Sequence, residues 1–273
     1  MEKRGRFILT MAAGLILAAG SASADSVLIK GSTTVLPIAQ ATLEAFMKAD
    51  PGTMISLSGG GSGEGIKALI DGVADIAMSS RQLKPAEAEL AKARGVNPVE
   101  TKVAIDAIVP IVHVGNPVND LSLDQLSQIY QGKITNWKEV GGRDLQIVPI
   151  SRDSSSGTFE AWGELILKGA KVTPRAQLQA SNGAIVQAVS KNRYALGYIG
   201  LGYLDKLVKA LSVNGVRASE KTASMRTYPV SRALYMFTNG EPKGDAHRYI
   251  RFVLSPAGQA LIRREGFVSL SGK

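Results

Sequence analysis

Three segments of the chain combine glycine with serine and threonine in a way that suits an anion. They are Gly31-Ser32-Thr33-Thr34, Gly59-Gly60-Gly61-Ser62-Gly63 and Ser154-Ser155-Ser156-Gly157-Thr158. Glycine lets an anion approach the backbone N–H groups closely, and hydroxyl groups add further hydrogen-bond donors. One such segment alone is usually a helix cap or a turn. Three of them, brought together, predict a site for a single oxyanion.

Arg152 adds a positive charge to the third segment, four residues before Ser156. A guanidinium group recognises an oxyanion through a planar pair of hydrogen bonds. Its neighbour Asp153 offers the alternative of a plain salt bridge, and Arg152 alone does not separate the two interpretations. The donor-rich segment beside it favours a ligand contact.

Three further features are weaker candidates. Ser181-Asn182-Gly183 precedes a predicted helix and resembles the other donor segments. Ser80 lies just beyond a predicted strand, where ligands gather in α/β proteins. Arg81 is equally suited to a ligand contact and to an ion pair.

Predicted strands and helices flank these segments. Apolar runs predict strands at 27–30, 54–57, 75–79 and 145–150, and the spacing of Leu36, Ala39 and Leu43 predicts a helix. A second helix is predicted from Thr158 to about Lys168. Each donor segment therefore joins a strand to a helix, whose N-terminus has unpaired N–H groups and a partial positive charge. The alternation of strands and helices predicts an α/β fold.

Two longer apolar stretches divide the chain. We predict that each of them crosses between two lobes. The first is Lys102–Val114, which is interrupted by Asp106 and Pro110, and the second is Tyr228–Phe237. The predicted limits are 25–106 for the first part of lobe 1, 107–228 for lobe 2 and 229–273 for the return to lobe 1.

The N-terminus has the layout of a secretory signal peptide. Lys3, Arg4 and Arg6 precede the apolar run Phe7–Gly20, and Ala22-Ser23-Ala24 follows as a cleavage site. The run is short for a membrane span, which needs about 20 apolar residues. We predict a signal peptide at 1–24 and export to the periplasm. We also predict that the mature chain does not span a membrane.

Composition excludes several classes of protein. The chain has 273 residues, of which 45% are hydrophobic and 20% charged, as in a globular protein. It has no cysteine, which rules out disulfides, thiol catalysis and cysteine-bound zinc. The net charge of +9 becomes +7 once Lys3, Arg4, Arg6 and Glu2 are removed, and it favours an anionic partner. Export and the scattered basic residues argue against nucleic acid.

Four segments resemble the phosphate-binding proteins of bacterial phosphate ABC transporters, in the type II periplasmic binding-protein superfamily. They are Gly31-Ser32-Thr33-Thr34-Val35-Leu36-Pro37, Gly60-Gly61-Ser62-Gly63-Glu64-Gly65-Ile66, Ala74-Asp75-Ile76-Ala77-Met78-Ser79-Ser80-Arg81 and Ser151-Arg152-Asp153-Ser154-Ser155-Ser156-Gly157-Thr158. The first and last together are quite specific, and the resemblance covers the whole mature chain. It implies a two-lobed α/β protein, each lobe with a mixed, mainly parallel sheet flanked by helices, and two hinge crossings.

The resemblance also implies a ligand and its contacts. The ligand is inorganic phosphate, delivered to an inner-membrane permease pair by a monomeric, non-enzymatic protein without metal or cofactor. The residues that match the family's phosphate contacts, or lie beside them, are Ser32, Thr33, Thr34, Ser62, Ser80, Arg152, Ser156, Gly157 and Thr158.

Ser80 is the one departure from the family pattern. Many members have an aspartate there, which accepts the proton of hydrogen phosphate and repels fully ionised sulfate. A serine hydroxyl can accept a hydrogen bond from that proton too, but it has no repelling charge. We therefore expect weaker rejection of sulfate, and Asp153 is not expected to compensate.

Other functions remain open at this point. The same class of protein could take molybdate, tungstate or sulfate. An exported phosphatase or serine hydrolase is a second alternative, but the chain lacks a G-x-S-x-G motif and a Walker loop. Its two histidines, His113 and His247, have no partner at ligand spacing. A cell-surface adhesion or sensor module is the third alternative.

Overall fold

The computed structural model describes residues 26–270, so the predicted signal peptide at 1–24 lies outside the described residues. The strands are β1 Val27–Gly31, β2 Ile55–Gly59, β3 Ile76–Ser79, β4 Pro98–His113, β5 Asp120–Leu121, β6 Val148–Arg152, β7 Gln177–Gln179, β8 Ala195–Gly200, β9 Val208–Ala210, β10 Ser212–Val213 and β11 Ser231–Asn239. The helices are α1 Leu36–Ala49, α2 Ser62–Ile70, α3 Pro85–Ala93, α4 Leu123–Tyr130, α5 Gly157–Leu165, α6 Asn182–Ser190, α7 Glu220–Ser224, α8 Gly244–Leu254 and α9 Pro256–Arg264. Short 3₁₀ helices cover Trp137–Val140 and Leu201–Tyr203.

One long strand connects two sheets. The strand order is β2-β1-β3-β11-β4-β8-β6-β7, with β9 also on β4. The first part of β4 pairs antiparallel with β11 and the second part with β8. Strands β1, β2 and β3 are parallel to one another, as are β6, β7 and β8. Each half is thus a mixed sheet flanked by helices, which confirms the predicted fold class.

Each half has its own hydrophobic core. One cluster contains buried side chains from β1, β3, β11, α1 and α8, and the other contains side chains from the second part of β4, β6, β8, Trp137 and Trp162. Burying each large side chain contributes about 1.5–3 kcal/mol. Along β4, the buried side chains pass from the first cluster to the second between Ala104 and Ala107. Further along the chain, they return to the first cluster between Val230 and Leu234. The lobe limits 25–106, 107–228 and 229–273 stay a proposal, which this changeover supports.

Helix starts follow local sequence signals. The Ser122 hydroxyl accepts the Gln125 N–H at 3.0 Å, and the Gln125 side chain accepts the Ser122 N–H at 2.9 Å, which together form a capping box at the start of α4. Ser255 caps α9 through Gly258 N–H at 3.2 Å, with Pro256 in the first turn. Among residues 26–270, no helix is both long enough and apolar enough to cross a bilayer.

Two predicted boundaries were wrong around the third donor segment. The helix predicted at 158–168 runs from Gly157 to Leu165, and Lys168 has a left-handed φ of 50°. The strand predicted at 145–150 runs from Val148 to Arg152, because β7 pairs with Ser151 and Arg152 and extends it. The Gln-Leu-Gln sequence of β7 lacks an apolar run, so the partner was not predicted, and Arg152 ends a strand instead of lying in a loop.

Candidate functional site

Four connections between strands and helices meet between the two lobes. They lead from β1 to α1, from β2 to α2, from β6 to α5 and from β7 to α6. Side chains from opposite lobes make contact there, since the Thr34 and Thr158 hydroxyl oxygens lie 2.9 Å apart. All nine predicted site residues are buried, and all lie in or directly next to these connections or at the end of β3: Ser32, Thr33, Thr34, Ser62, Ser80, Arg152, Ser156, Gly157 and Thr158.

Ser62 and Ser80 form a hydroxyl pair on the first lobe. The Ser62 hydroxyl accepts the Ser80 N–H at 3.0 Å, and the two hydroxyl oxygens lie 3.4 Å apart. Gly157, the first residue of α5, faces this pair from the second lobe. A Cβ atom at Gly157 would lie 2.7 Å from the Ser80 hydroxyl oxygen and would also clash with Ser62. Only glycine therefore lets the start of α5 approach the serine pair this closely.

Ser156 and Ser32 use their side-chain oxygens to organise the backbone. The Ser156 hydroxyl caps α5 by accepting the Phe159 N–H at 3.3 Å. The Ser32 hydroxyl accepts the Thr34 N–H at 3.2 Å. Both hydroxyl protons remain available for donation, because a hydroxyl accepts and donates at the same time. The partly positive N-terminus of α5 opens onto the same point.

Arg152 is held by neutral carbonyl groups. Its Nε donates to Gln179 O at 3.0 Å and its Nη2 to Ala180 O at 2.9 Å. Its Nη1 is buried and has no hydrogen-bond partner within residues 26–270. Burial lowers the pKa of the Arg152 guanidinium from its ordinary value. An arginine stays protonated in proteins, so the positive charge is retained.

The alternative salt bridge of Arg152 with Asp153 is loose. The Arg152 Nη2 to Asp153 Oδ2 distance is 4.0 Å, at the limit for an ion pair. The other carboxylate oxygen of Asp153 accepts the Ser155 N–H at 2.9 Å and the Ser155 hydroxyl at 2.5 Å. The geometry therefore favours the interpretation in which the guanidinium is directed to something other than Asp153.

A second buried guanidinium, Arg232, was not predicted. Its Nε and Nη2 donate to Asp106 Oδ2 at 3.2 and 3.0 Å, and the two residues lie opposite each other on β11 and β4. Its Nη1 donates to Gly157 O at 3.3 Å and its Nη2 to the Thr158 hydroxyl at 2.9 Å. Burial raises the pKa of Asp106 and lowers that of Arg232. The sequence signal that could have identified this pair is a charged residue inside each of the two long apolar stretches, Asp106 in the first and Arg232 in the second.

Asn182, from the fourth donor segment, also reaches across the lobes. Its Nδ2 donates to the hydroxyl oxygens of Thr33 at 3.3 Å and Thr34 at 3.1 Å. Its Oδ1 accepts the Gly200 N–H at 3.1 Å. Asn182 is fully buried. The weaker sequence candidate is thus part of the same cluster.

A rim of ion pairs joins the lobes beside the site. Arg81 forms two hydrogen bonds with Glu87, at 2.8 and 2.7 Å, and its Nε is paired with Glu160 on the other lobe. Lys84 Nζ lies 2.9 Å from the same Glu160. Of the two interpretations of Arg81, the ion pair is the one that is observed. A cavity of about 390 Å³ between the lobes is lined by this rim and by Ser80 and Arg232.

Aromatic side chains support the second-lobe half of the site. Tyr198 OH lies 2.8 Å from the Ser151 hydroxyl and accepts the Arg152 N–H at 3.3 Å. Trp162 stacks on Tyr198 with ring centroids 4.2 Å apart. Tyr203 OH donates to Thr33 O across the lobes at 2.5 Å. Burial raises the pKa of Tyr198 and of Tyr203 to about 12, so both hydroxyls stay protonated.

Within the described part of the chain, 26–270, no cluster of three or more His, Cys, Asp or Glu side chains has a geometry that would hold a metal ion. The His113 Nδ1 accepts the Gly115 N–H at 3.0 Å in a local turn, and His247 lies on α8.

The chain is similar in sequence to known proteins over almost its whole length. A family model for a PBP superfamily domain matches residues 18–257. The phosphate-binding protein PstS of Borreliella burgdorferi is 33% identical over 254 residues, which cover 89% of this chain and 89% of that protein. The phosphate-binding protein PstS of Bacillus subtilis is 31% identical, over 91% of this chain and 82% of its own.

Solved structures are similar as well. A structure from Clostridium perfringens, described as a phosphate ABC transporter substrate-binding protein with bound phosphate, has a TM-score of 0.84 and 39% identity. It is matched over 90% of this chain and 100% of its own. An ABC-type phosphate transport receptor from Vibrio cholerae has a TM-score of 0.73 and 33% identity, over 89% of this chain and 99% of its own.

Proposed function

The chain belongs to the PBP superfamily and to its phosphate-binding proteins, and from this premise we propose that it binds inorganic phosphate between its lobes and delivers it to an ABC importer. One observation carries the proposal. Hydroxyl groups from both lobes and the N-terminus of α5 are buried at one point, and the buried Arg152 guanidinium lies at the end of β6, in the strand-to-helix connection that leads into α5. Burying an anion is costly unless nearly every oxygen lone pair meets a donor, and this cluster supplies such donors.

The proposed phosphate contacts are the nine residues predicted from the sequence. Backbone and hydroxyl donors come from Ser32, Thr33, Thr34, Ser62, Ser80, Ser156, Gly157 and Thr158. Arg152 supplies the charge that favours a dianion, and its unpartnered Nη1 supports this role. The proposed lobe limits place the first five contacts on lobe 1 and the others on lobe 2, so that closing the lobes completes the site.

The cellular setting is part of the proposal. Residues 1–24 are the signal peptide, and the mature protein acts as a monomer in the periplasm. The closed, phosphate-loaded form docks on a permease pair in the inner membrane. The named relatives are binding proteins, which supports a role without turnover. Lobe opening and closing is the expected release mechanism.

Calorimetry tests the proposal directly. Purified protein is titrated with phosphate, sulfate and molybdate under identical conditions. We expect phosphate to bind with one site per chain. Absence of phosphate binding together with tight molybdate binding would point to the other-oxyanion alternative, which no relative named above supports. Hydrolysis of a chromogenic phosphate ester would point to an enzyme instead.

A further inference from the structure

Arg232 and Asn182 act together on the hydroxyl groups of the first and third donor segments. Both side chains are buried, and both donate to the Thr34 hydroxyl oxygen, from Asn182 Nδ2 at 3.1 Å and from Arg232 Nη2 at 3.3 Å. A hydroxyl oxygen has two lone pairs and one proton. Arg232 Nη2 has two protons and also donates to Asp106 Oδ2, so its second proton is shared between the hydroxyl oxygens of Thr34 and Thr158. Both lone pairs of Thr34 are thus engaged, one of them by the shared proton, and its own proton is left for donation.

The direction of the next hydrogen bond follows. The Thr34 and Thr158 hydroxyl oxygens lie 2.9 Å apart, and Thr34 has only its proton left to offer. Thr158 also accepts from Arg232 Nη2 at 2.9 Å. The Thr34 proton and the proton that Arg232 Nη2 shares between the two threonines engage the lone pairs of Thr158 as well. Its own proton then points out of the network, because no acceptor for it lies within residues 26–270.

The orientation of both donors is fixed by their other contacts. Asn182 Oδ1 accepts the Gly200 N–H at 3.1 Å, which sets the amide with its NH₂ group toward the threonines. Asp106 Oδ2 accepts from Arg232 Nε and Nη2, while Asp106 Oδ1 accepts the Leu201 N–H at 3.0 Å. The carboxylate is thus fully occupied and cannot accept a proton from a ligand.

We propose that Arg232 and Asn182 are positioning residues that hold the Thr34–Thr158 side of the site as donor-only and so set its preference for fully ionised oxyanion oxygens. The inference rests on the proposed function. The Ser62–Ser80 side differs, because the 3.4 Å contact between these hydroxyls leaves lone pairs free to accept. A protonated phosphate oxygen is therefore accommodated at the serine pair and not at the threonine pair.

Asn182→Asp is the sharpest test, because it changes a donor into an acceptor with almost no change in size. The new carboxylate accepts hydrogen bonds from the Thr33 and Thr34 hydroxyls, whereas the amide of Asn182 donates to them. In calorimetry on protein purified from the periplasmic fraction of an expressing bacterium, we expect affinity for phosphate and sulfate to fall at least about 30-fold. Asn192→Asp is the control for added charge, since the Asn192 side chain only accepts the nearby Tyr194 N–H. It should bind as wild type.

Arg232 is tested with a conservative rescue. Arg232→Gln combined with Asp106→Asn removes both buried charges together, which avoids leaving Asp106 unpaired. We expect at least about 30-fold weaker phosphate binding from this double variant. Arg232→Lys should recover binding to within about fivefold of wild type, because an ammonium group still donates to both threonines. A purely structural role would not give recovery at equal thermal stability.

The outcomes separate this inference from the function on which it rests. Wild-type protein that binds no phosphate would overturn both. Wild-type protein that binds phosphate, with Asn182→Asp equal to Asn192→Asp, would overturn the inference alone. If the Arg232 double variant fails to fold, the Asn182 pair decides the matter by itself.

Discussion

The centre and the rim of the interlobe cleft each contain an arginine, but the two arginines are paired differently. Arg152, in the centre, is held by the carbonyl groups of Gln179 and Ala180 and keeps an unpartnered Nη1. Arg81, at the rim, is paired with the carboxylates of Glu87 and Glu160. A carbonyl orients a guanidinium without cancelling its charge, whereas a carboxylate neutralises it. The kind of partner thus determines which arginine is available to an anion.

Arg152→Ala should have the largest effect. Removing one partner of a buried, hydrogen-bonded charge pair costs about 2–5 kcal/mol, so we expect phosphate affinity to fall at least about 30-fold in calorimetry. Arg81→Ala is the matched rim variant and should lose less than about tenfold. Equal losses in the two variants would show that the pairing partner does not decide the role.

Ser80→Asp should place a carboxylate in the centre of the cleft, like the carboxylates that pair with Arg81 at the rim. A carboxylate there repels fully ionised sulfate but can accept a proton from hydrogen phosphate. We expect the phosphate-to-sulfate affinity ratio to rise at least about tenfold, measured by competition titration. Ser80→Asn has the same size without the charge and should leave the ratio unchanged. An unaltered ratio in Ser80→Asp would contradict the assignment of Ser80 to the site.

Glu160→Gln should have a modest effect at the rim. It breaks the ion pairs with Arg81 and Lys84 that join the lobes. Partly exposed ion pairs contribute about 0.2–1 kcal/mol each, so phosphate affinity should fall about threefold and depend less on salt. The exposed Glu164, one turn further along α5, provides the control Glu164→Gln. A loss as large as that of Arg152→Ala would place Glu160 in the centre.

The smallest expected effect is on tryptophan fluorescence. Replacing Trp162 should alter the phosphate-induced emission change without lowering phosphate affinity. Trp162 stacks on Tyr198, which accepts the Arg152 N–H, so an event at Arg152 alters the surroundings of the indole. Trp137 donates to Tyr194 O at 3.0 Å, outside the cleft. We expect the phosphate-induced emission change to persist in Trp137→Phe and to vanish in Trp162→Phe. The opposite pattern would contradict this coupling.

Much of the fold followed from short-range patterns. Apolar runs and helical spacing predicted β1, β3 and α1, because backbone hydrogen bonding and burial act over a few residues. Strand β7 escaped prediction, since its Gln-Leu-Gln sequence becomes a strand only by pairing with β6. Helices α3 and α8 were not predicted either.

The sequence by itself determined the donor-rich segments, the positive charge at Arg152 and the α/β alternation, because residue type and local periodicity encode these. Only the tertiary structure decided which donors meet. Arg232 and Asp106 lie 126 positions apart and become partners through the register of β11 and β4. The polarity of the Thr34 and Thr158 hydroxyls likewise depends on neighbours from both lobes. Hydrogen-bond direction is a property of a filled coordination shell, and distant segments of the chain fill it.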